Sequence, residues 1–548
     1  MKDEILDLVF KDPLPTIAEI EAKYPPRQLP EGAIVTRVGP SPTGLLHIGT
    51  LNAALIPYSL ARACGGVFFL RIEDTDQKRQ VAEATDVILK AFKDYDICPD
   101  EGPQADGTQK GAYGPYIQSQ RKDIYQAYAK ELLRQDKAYL CFCSEESLAQ
   151  AHETQVKAKI RPGYYGPFAR CRTLSEDAVL QNLKDGKPFI VRFKSPGHYT
   201  QKIIIHDLVR GKRELPQNDL DVPILKSDGL PTYHFAHLID DHLMGTTHVM
   251  RGEEWLSSLP LHLQMFEAMG WQAPNYIHFS HILKLDEQTG NKRKISKRYD
   301  PEACVNFYDE QGYPKTAVIE YLLTLANSNF EDWRRANPDA SYKEFKLSIQ
   351  KLNSSGALFD LAKLNSICRE HIGKMTAEEI YDATWAWAKT YRPDFATKLE
   401  QNKAYMIDIL NIERLGAKKV RKDLIKWSDV ETETAFFFDD SFQPADPYAA
   451  LAPMPAETVK AIVTDFAALY DAQDDKDTWF AKIKQVAEKN GFCADMKAYK
   501  ANPTAFKGSV ADVAKVLRVF ITGKEQSPDL HAVMRVLGQQ ATLKRLSV

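Results

Sequence analysis

Two segments far apart in the chain carry residues suited to handling a polyphosphate. The first is Arg37-Val-Gly-Pro-Ser-Pro-Thr-Gly-Leu-Leu-His-Ile-Gly-Thr50, set between the apolar run Ala33–Val38 and an apolar-periodic stretch from about His47 to Cys64. This pattern predicts a strand, a turn-rich loop and a helix. Gly44 and Gly49 permit close backbone approach, and the predicted helix would present free N–H groups and its positive dipole end to an anion. His47, in the first helical turn, is placed to donate to a phosphate that gains charge during displacement. The second segment, Asn291-Lys-Arg-Lys-Ile-Ser-Lys-Arg298, follows a predicted strand, Ile277–Leu283. Alone, such a charge run is usually solvated surface. Loops at the carboxyl ends of parallel strands share one crevice, however, so both segments can face the same nucleotide.

A third set is Cys141-Phe-Cys143 followed by Cys171. Zinc takes four thiolate or imidazole ligands, and three thiols are present. A zinc site lacking an identified fourth ligand and a cluster of reduced thiols both fit this spacing. The remaining cysteines, Cys64, Cys98, Cys304, Cys368 and Cys493, are scattered singly, which excludes a disulfide scaffold and agrees with a reducing compartment.

The elements that would carry these groups form several domains, since the chain has 548 residues. Its 44% hydrophobic and 26% charged residues are ordinary for a globular protein, and no stretch approaches the roughly 18–20 apolar residues of a membrane span. The start, Met1-Lys2-Asp3-Glu4, lacks a basic n-region and an apolar h-region, so export is not expected and the cytoplasm is. A net charge of −3 gives no overall attraction to a polyanion, so a nucleic-acid partner requires a local basic face.

Strand-and-helix alternation over Ala33–Val38, His47–Cys64, Val67–Ile72 and Val81–Tyr95 predicts a doubly wound parallel sheet. Residues 1–30 read as an N-terminal extension and 31–96 as the first half of that fold. An α+β insertion is expected over 97–225 and the second half over 226–300, containing His248–Arg251 and the helix Trp255–Met269. Glycine then thins out, with only Gly356, Gly373, Gly416, Gly491, Gly508, Gly523 and Gly538 beyond residue 350. Amphipathic stretches at Thr376–Tyr391, Ala456–Ala472 and Lys507–Thr522 make 351–548 a helical region, with 301–350 between.

His47-Ile-Gly-Thr50 and Lys294-Ile-Ser-Lys-Arg298 resemble the two signatures of class I aminoacyl-tRNA synthetases. The flanks Arg37…Pro40-Ser-Pro-Thr-Gly44, Arg71-Ile-Glu-Asp-Thr-Asp76, Gly229-Leu-Pro-Thr-Tyr-His-Phe-Ala236 and Met250-Arg-Gly-Glu-Glu-Trp255 are similar to bacterial-type glutamyl-tRNA synthetases. The resemblance implies a Rossmann-type α/β catalytic domain split by an α+β insertion and followed by an all-α anticodon-binding region, with 301–350 contacting the tRNA stem. It implies glutamate–tRNA ligation with ATP, Mg²⁺ on the phosphates, and activation of glutamate only with tRNA bound. His47, Lys294 and Lys297 would be catalytic, and Thr43, His47, Gly49 and Lys297 would hold ATP. Arg37, Ser41, Glu73, Tyr233 and Arg251 would line the glutamate pocket. This set is chemically apt, because a substrate with two carboxylates and one ammonium needs two cations and an anion, and an arginine fork disfavours the amide of glutamine.

The resemblance also implies that Arg518, Ser527, Pro528 and Leu530 contact the anticodon, while Lys418, Lys419, Arg421 and Lys422 form a candidate phosphate patch. For the thiols it implies zinc on Cys141, Cys143 and Cys171 with a histidine or tyrosine. Thr173 stands where some relatives have His, and Tyr164 and Tyr165 lie near. Gly39, Thr50 and His234 replace the Ala, Asn and Asn of many relatives. The rivals are a glutaminyl-tRNA synthetase, whose tail of β-barrels the glycine-poor C-terminal third contradicts, and a catalytically silent tRNA-binding paralogue. A monomer is expected, and use of glutamine tRNA stays open.

Overall fold

Val35–Val38 (β1) is buried along its whole length, as a strand covered on both faces should be. The chain continues into the helix Ile48–Ala63 (α1), which buries Leu51, Ala54, Leu55 and Ala61, and returns as Val67–Leu70 (β2). β2 lies parallel to β1, with Phe69 opposite Arg37. Between α1 and β2, Gly66 is obligatory: a Cβ there would lie 2.1 Å from the Ile34 carbonyl oxygen. The computed structural model describes residues 1–42, 44–76, 81, 83–286, 288–442 and 446–547.

Lys202–Asp207 (β3) and Gly211–Pro216 (β4) form an antiparallel hairpin. The helix Tyr233–Leu243 (α2) leads to the strand His248–Gly252 (β5), and the helix Leu259–Met269 (α3) leads to Asn275–Phe279 (β6). β5 pairs parallel with β6, and β6 parallel with β3. Thr247, just before β5, joins the two halves: its N–H donates to the Val35 carbonyl at 3.0 Å, and its Oγ1 accepts from the Val35 N–H at 2.8 Å. The order is therefore β2–β1–β5–β6–β3–β4. Successive crossovers leave β1 in opposite directions, which creates a switch-point crevice above β1 and β5.

Two sequence expectations change here. The hairpin Lys202–Pro216, placed within the insertion, extends the catalytic sheet. The expected strand Ile277–Leu283 breaks at Ser280-His281, and Ile282–Leu285 instead pairs antiparallel with Lys292–Lys294 and parallel with Ala357–Leu358. The cationic loop thus hangs from a small separate sheet. The insertion has its own antiparallel sheet of Ala138–Cys141, Ile190–Phe193 and Pro223–Leu225. Residues of the N-terminal extension complete its core, with Ile5, Leu6, Ile20 and Tyr24 packed among Tyr125, Tyr128, Leu132 and Leu133.

The chain divides into two compact units, Met1–Phe307 with Ile319–Asp360, and Tyr308–Val318 with Leu361–Val548. The second is helical: among the described residues its extended structure is limited to a bridge between Cys493 and Ser509. Its helix Ala377–Tyr391 opens with a capping box of Thr376 and Glu379, and its core contains Trp387, Val459, Phe466, Val516 and Leu517.

Candidate active site

A cleft of about 1070 Å³ opens at the carboxyl ends of β1, β2, β5 and β6, lined by Arg37, Ser41, Glu73, Tyr233, Arg251 and the first turn of α1. Ile295 and Lys294 line it as well, so the two cationic segments do meet over one crevice. Thr43, expected to touch ATP, lies outside the described residues.

His47 is the N-cap of α1. Its Nδ1 accepts the Gly49 N–H at 2.8 Å, leaving the proton on Nε2, which donates to the Ile295 carbonyl at 3.2 Å. Burial, with Lys297 and Lys294 nearby, lowers its pKa to about 4, so the ring is a neutral donor at physiological pH. Gly49 makes this cap possible, since a Cβ there would sit 2.9 Å from His47 Nδ1. The loop contacts are reciprocal: the ammonium of Lys297 donates to the Leu45 carbonyl, and the Val305 N–H donates to the Leu46 carbonyl at 3.0 Å. Asp300 staples the loop, receiving Arg293 at 2.6 and 2.8 Å and the Ser296 N–H at 2.9 Å.

The amino-acid end of the cleft is a buried charge network. Arg37 grips Asp241 with two bonds of 3.1 Å, while Arg71 reaches Asp241 at 2.9 Å and Glu73 at 3.0 Å. Burial opposes ionisation of Asp241, yet Arg37, Arg71 and His237 hold its carboxyl well below the usual range. At Glu73 burial outweighs Arg71 and Arg37 and pushes the carboxyl up, leaving it receptive to a further cation. Gly39 makes room for that carboxylate, because a Cβ at 39 would lie 2.2 Å from Glu73 Oε1. Tyr233 stacks near Trp255, with ring centroids 4.2 Å apart.

Arg251 is held differently. Its Nε donates to His278 Nε2 at 3.0 Å, its Nη2 lies 3.2 Å from His262 Nδ1, and its Nη1 is buried with no hydrogen-bond partner among the described residues. That orphan donor is suited to an incoming carboxylate. Asp207, His237, Asp241, His262 and His278 escaped the sequence reading. The i,i+4 spacing of His237 and Asp241 on a helix was a usable signal; nothing local connects Asp207 to His278.

In the insertion, the ligating atoms of Cys141, Cys143 and Cys171 lie within 4.8 Å of one another. The Tyr164 hydroxyl is 3.4 Å from Cys141 Sγ and 3.3 Å from Cys143 Sγ, whereas Tyr165 bonds to the Arg161 carbonyl instead. Hydrogen bonds from Cys171 and Tyr164 favour the Cys141 thiolate despite burial, while Cys171 and Tyr164, as its donors, are pushed up. The donor set therefore fits zinc, with Tyr164 completing three thiols.

In the helical unit, Arg518 Nε donates to Ser527 Oγ at 3.0 Å, so these two candidates share one surface beside Pro528. Leu530 is 3% exposed and belongs to the core, which removes it from direct contact with a nucleotide. Arg421 and Lys422 are paired with Asp423 and Glu370.

Residues 33–366 match the family model described as tRNA synthetases class I (E and Q), catalytic domain, and residues 379–548 match an anticodon binding domain. The glutamate–tRNA ligase of Clostridium perfringens (strain 13 / Type A) is 45% identical over 546 residues, covering 99% of this chain and all of its own. That of Sorangium cellulosum (strain So ce56) is 42% identical, covering 96% and 97%. A solved glutamate tRNA ligase from Elizabethkingia meningosepticum, in complex with its amino acid, has a TM-score of 0.74 at 28% identity, covering 94% of this chain and 98% of its own.

Proposed function

This chain belongs to the class I tRNA synthetases of the glutamate and glutamine type, and from that premise we propose how it works as a glutamate–tRNA ligase. The observation that carries the reading is that His47, Lys294 and Ile295 line the same cleft as Arg37, Glu73 and Arg251, with Lys297 bonded to the Leu45 carbonyl just before the helix N-terminus.

ATP lies with its phosphates over the first turn of α1. An oxygen of the glutamate α-carboxylate attacks the α-phosphorus, the bond to the β-phosphate oxygen breaks, and pyrophosphate leaves. The Nε2–H of His47 and the ammonium of Lys297 exchange the carbonyls of Ile295 and Leu45 for phosphate oxygens, and Lys294 adds charge at the same edge. The neutral His47 donor and the two lysine cations stabilise the developing negative charge, and no covalent enzyme intermediate is needed. Mg²⁺ bound with ATP would supply further charge neutralisation on the phosphates. A terminal tRNA hydroxyl then attacks the acyl carbon of the adenylate, releasing AMP. Glu73 receives the substrate ammonium, while Arg37 and Arg251 take its carboxylates.

Glutamate is favoured over glutamine because both arginine forks offer only donors, which an amide N–H₂ cannot satisfy. The surface at Arg518, Ser527 and Pro528 reads the anticodon, and Cys141, Cys143, Cys171 and Tyr164 would hold a zinc ion that ties the insertion loops together. The enzyme acts as a cytoplasmic monomer, activates glutamate only with tRNA bound, and has glutamine tRNA as a second substrate to be tested. ATP–pyrophosphate exchange tests the reading: exchange with glutamate plus tRNA supports it, and exchange driven by glutamine, or none with either amino acid, overturns it.

A further inference from the structure

Three arginines reach the amino-acid end of the cleft, and they are held in two ways. Arg37 and Arg71 are paired with carboxylates, chiefly Asp241, which divide their charge. Arg251, only 6% exposed, has no carboxylate among its hydrogen-bond partners in the described residues. Its partners are two imidazoles and the Trp255 carbonyl at 3.5 Å.

Each imidazole is fixed from behind. His278 Nδ1 lies 2.7 Å from Asp207 Oδ2, so its proton faces Asp207 and its Nε2 lone pair faces Arg251. Asp207 is itself anchored by the N–H groups of Val209, Arg210 and His278 at 2.9, 2.7 and 3.0 Å. On the other side, the Arg251 guanidinium can only donate, so His262 Nδ1 accepts from it and the His262 proton sits on Nε2, 2.9 Å from the accepting His234 Nδ1. An imidazole can accept from a guanidinium only when neutral. Burial lowers the pKa of both rings, which keeps them neutral.

We propose that His278 and His262 are positioning residues for the bound amino acid: neutral acceptors, braced by Asp207 and His234, that fix the Arg251 fork while leaving its charge undivided for a substrate carboxylate. A carboxylate in either place would hold the fork as firmly but would neutralise it. The proposal rests on the reading that Arg251 binds glutamate, and it explains why β3, remote in sequence, ends in a buried aspartate against β6.

The test is tRNA-dependent ATP–pyrophosphate exchange with glutamate and ATP varied separately. His278→Ala and His262→Ala are expected to raise the glutamate KM about tenfold or more while changing the ATP KM less than about twofold, the size of one lost charge-assisted hydrogen bond. His262→Gln, a neutral acceptor, should recover most of the loss. His262→Glu, an anionic one, should not. If the wild type fails to use glutamate, the functional reading is wrong. If it uses glutamate and the alanine variants keep its glutamate KM, or Glu rescues as well as Gln, the positioning proposal is overturned. Should an alanine variant not fold, the Gln and Glu pair carries the same decision.

Discussion

His47 joins local structure to the proposed chemistry: it caps α1 through Nδ1 and keeps on Nε2 the proton proposed to meet the nucleotide. Its folded pKa of about 4 lies below the ordinary 6.5, so the unfolded chain takes up a proton that the folded one refuses. The stability contributed by the neutral ring is therefore present above pH 6.5 and is lost as pH falls from there toward 4. In activity, kcat/KM for ATP should show no limb near 6.5 assignable to this ring, and a pH–rate profile of the wild type against His47→Asn checks it. Lys297 is exposed and, among the described residues, bonded only to the Leu45 carbonyl. Lys297→Ala should leave the melting curve unchanged and slow exchange by about 10²-fold or more, as loss of one preorganised cation does. Undiminished exchange would remove Lys297 from the mechanism.

At the scale of elements, a strand end, a helix start and a stapled loop must agree to within a bond length. Asp300, 1% exposed, holds Arg293, Lys284 and the Ser296 N–H together. Asp300→Ala leaves two cations without their shared anion and frees the loop that carries Ile295 and Lys297. Exchange should fall about tenfold with the ATP KM raised, and Asp300→Asn should recover part of it, since an amide oxygen still accepts. An Ala variant with wild-type ATP kinetics would mean the loop keeps its place by other contacts. The sequence placed the strands and helices of this region well because each is written locally, an apolar run for β1 and a periodic stretch for α1, whereas His47, expected in the first helical turn, is the N-cap instead. The break at Ser280-His281 was not legible, because the apolar texture of Ile277–Leu283 continues through it while the hydrogen-bond partners change.

For the whole molecule, the boundary between units is interleaved, with Tyr308–Val318 belonging to the second and Ile319–Asp360 to the first. Within the second unit, the Trp427 N–H donates to the Gly312 carbonyl at 2.8 Å and Trp387 Nε1 to the Asp309 carbonyl at 3.0 Å. A fragment of residues 1–360 therefore carries the buried Tyr313 without Asn365, to which its hydroxyl donates at 3.1 Å, and the Gly312 and Asp309 carbonyls without their tryptophan donors. It should melt several degrees below the first transition of the full chain, as calorimetry will report; equal melting would show that the segment packs elsewhere. Sequence alone determined the residue types proposed to meet phosphate and glutamate, the parallel-sheet core and the helical C-terminal third, because periodicity, glycine placement and charge are properties of short stretches. Only the tertiary structure decided that β3 belongs to the catalytic sheet, that Tyr164 rather than Tyr165 joins the thiols, that Leu530 is core, and that Arg251 leans on two neutral histidines. Those facts depend on pairings between residues tens to hundreds of positions apart, and no local pattern encodes which buried donor will find which acceptor.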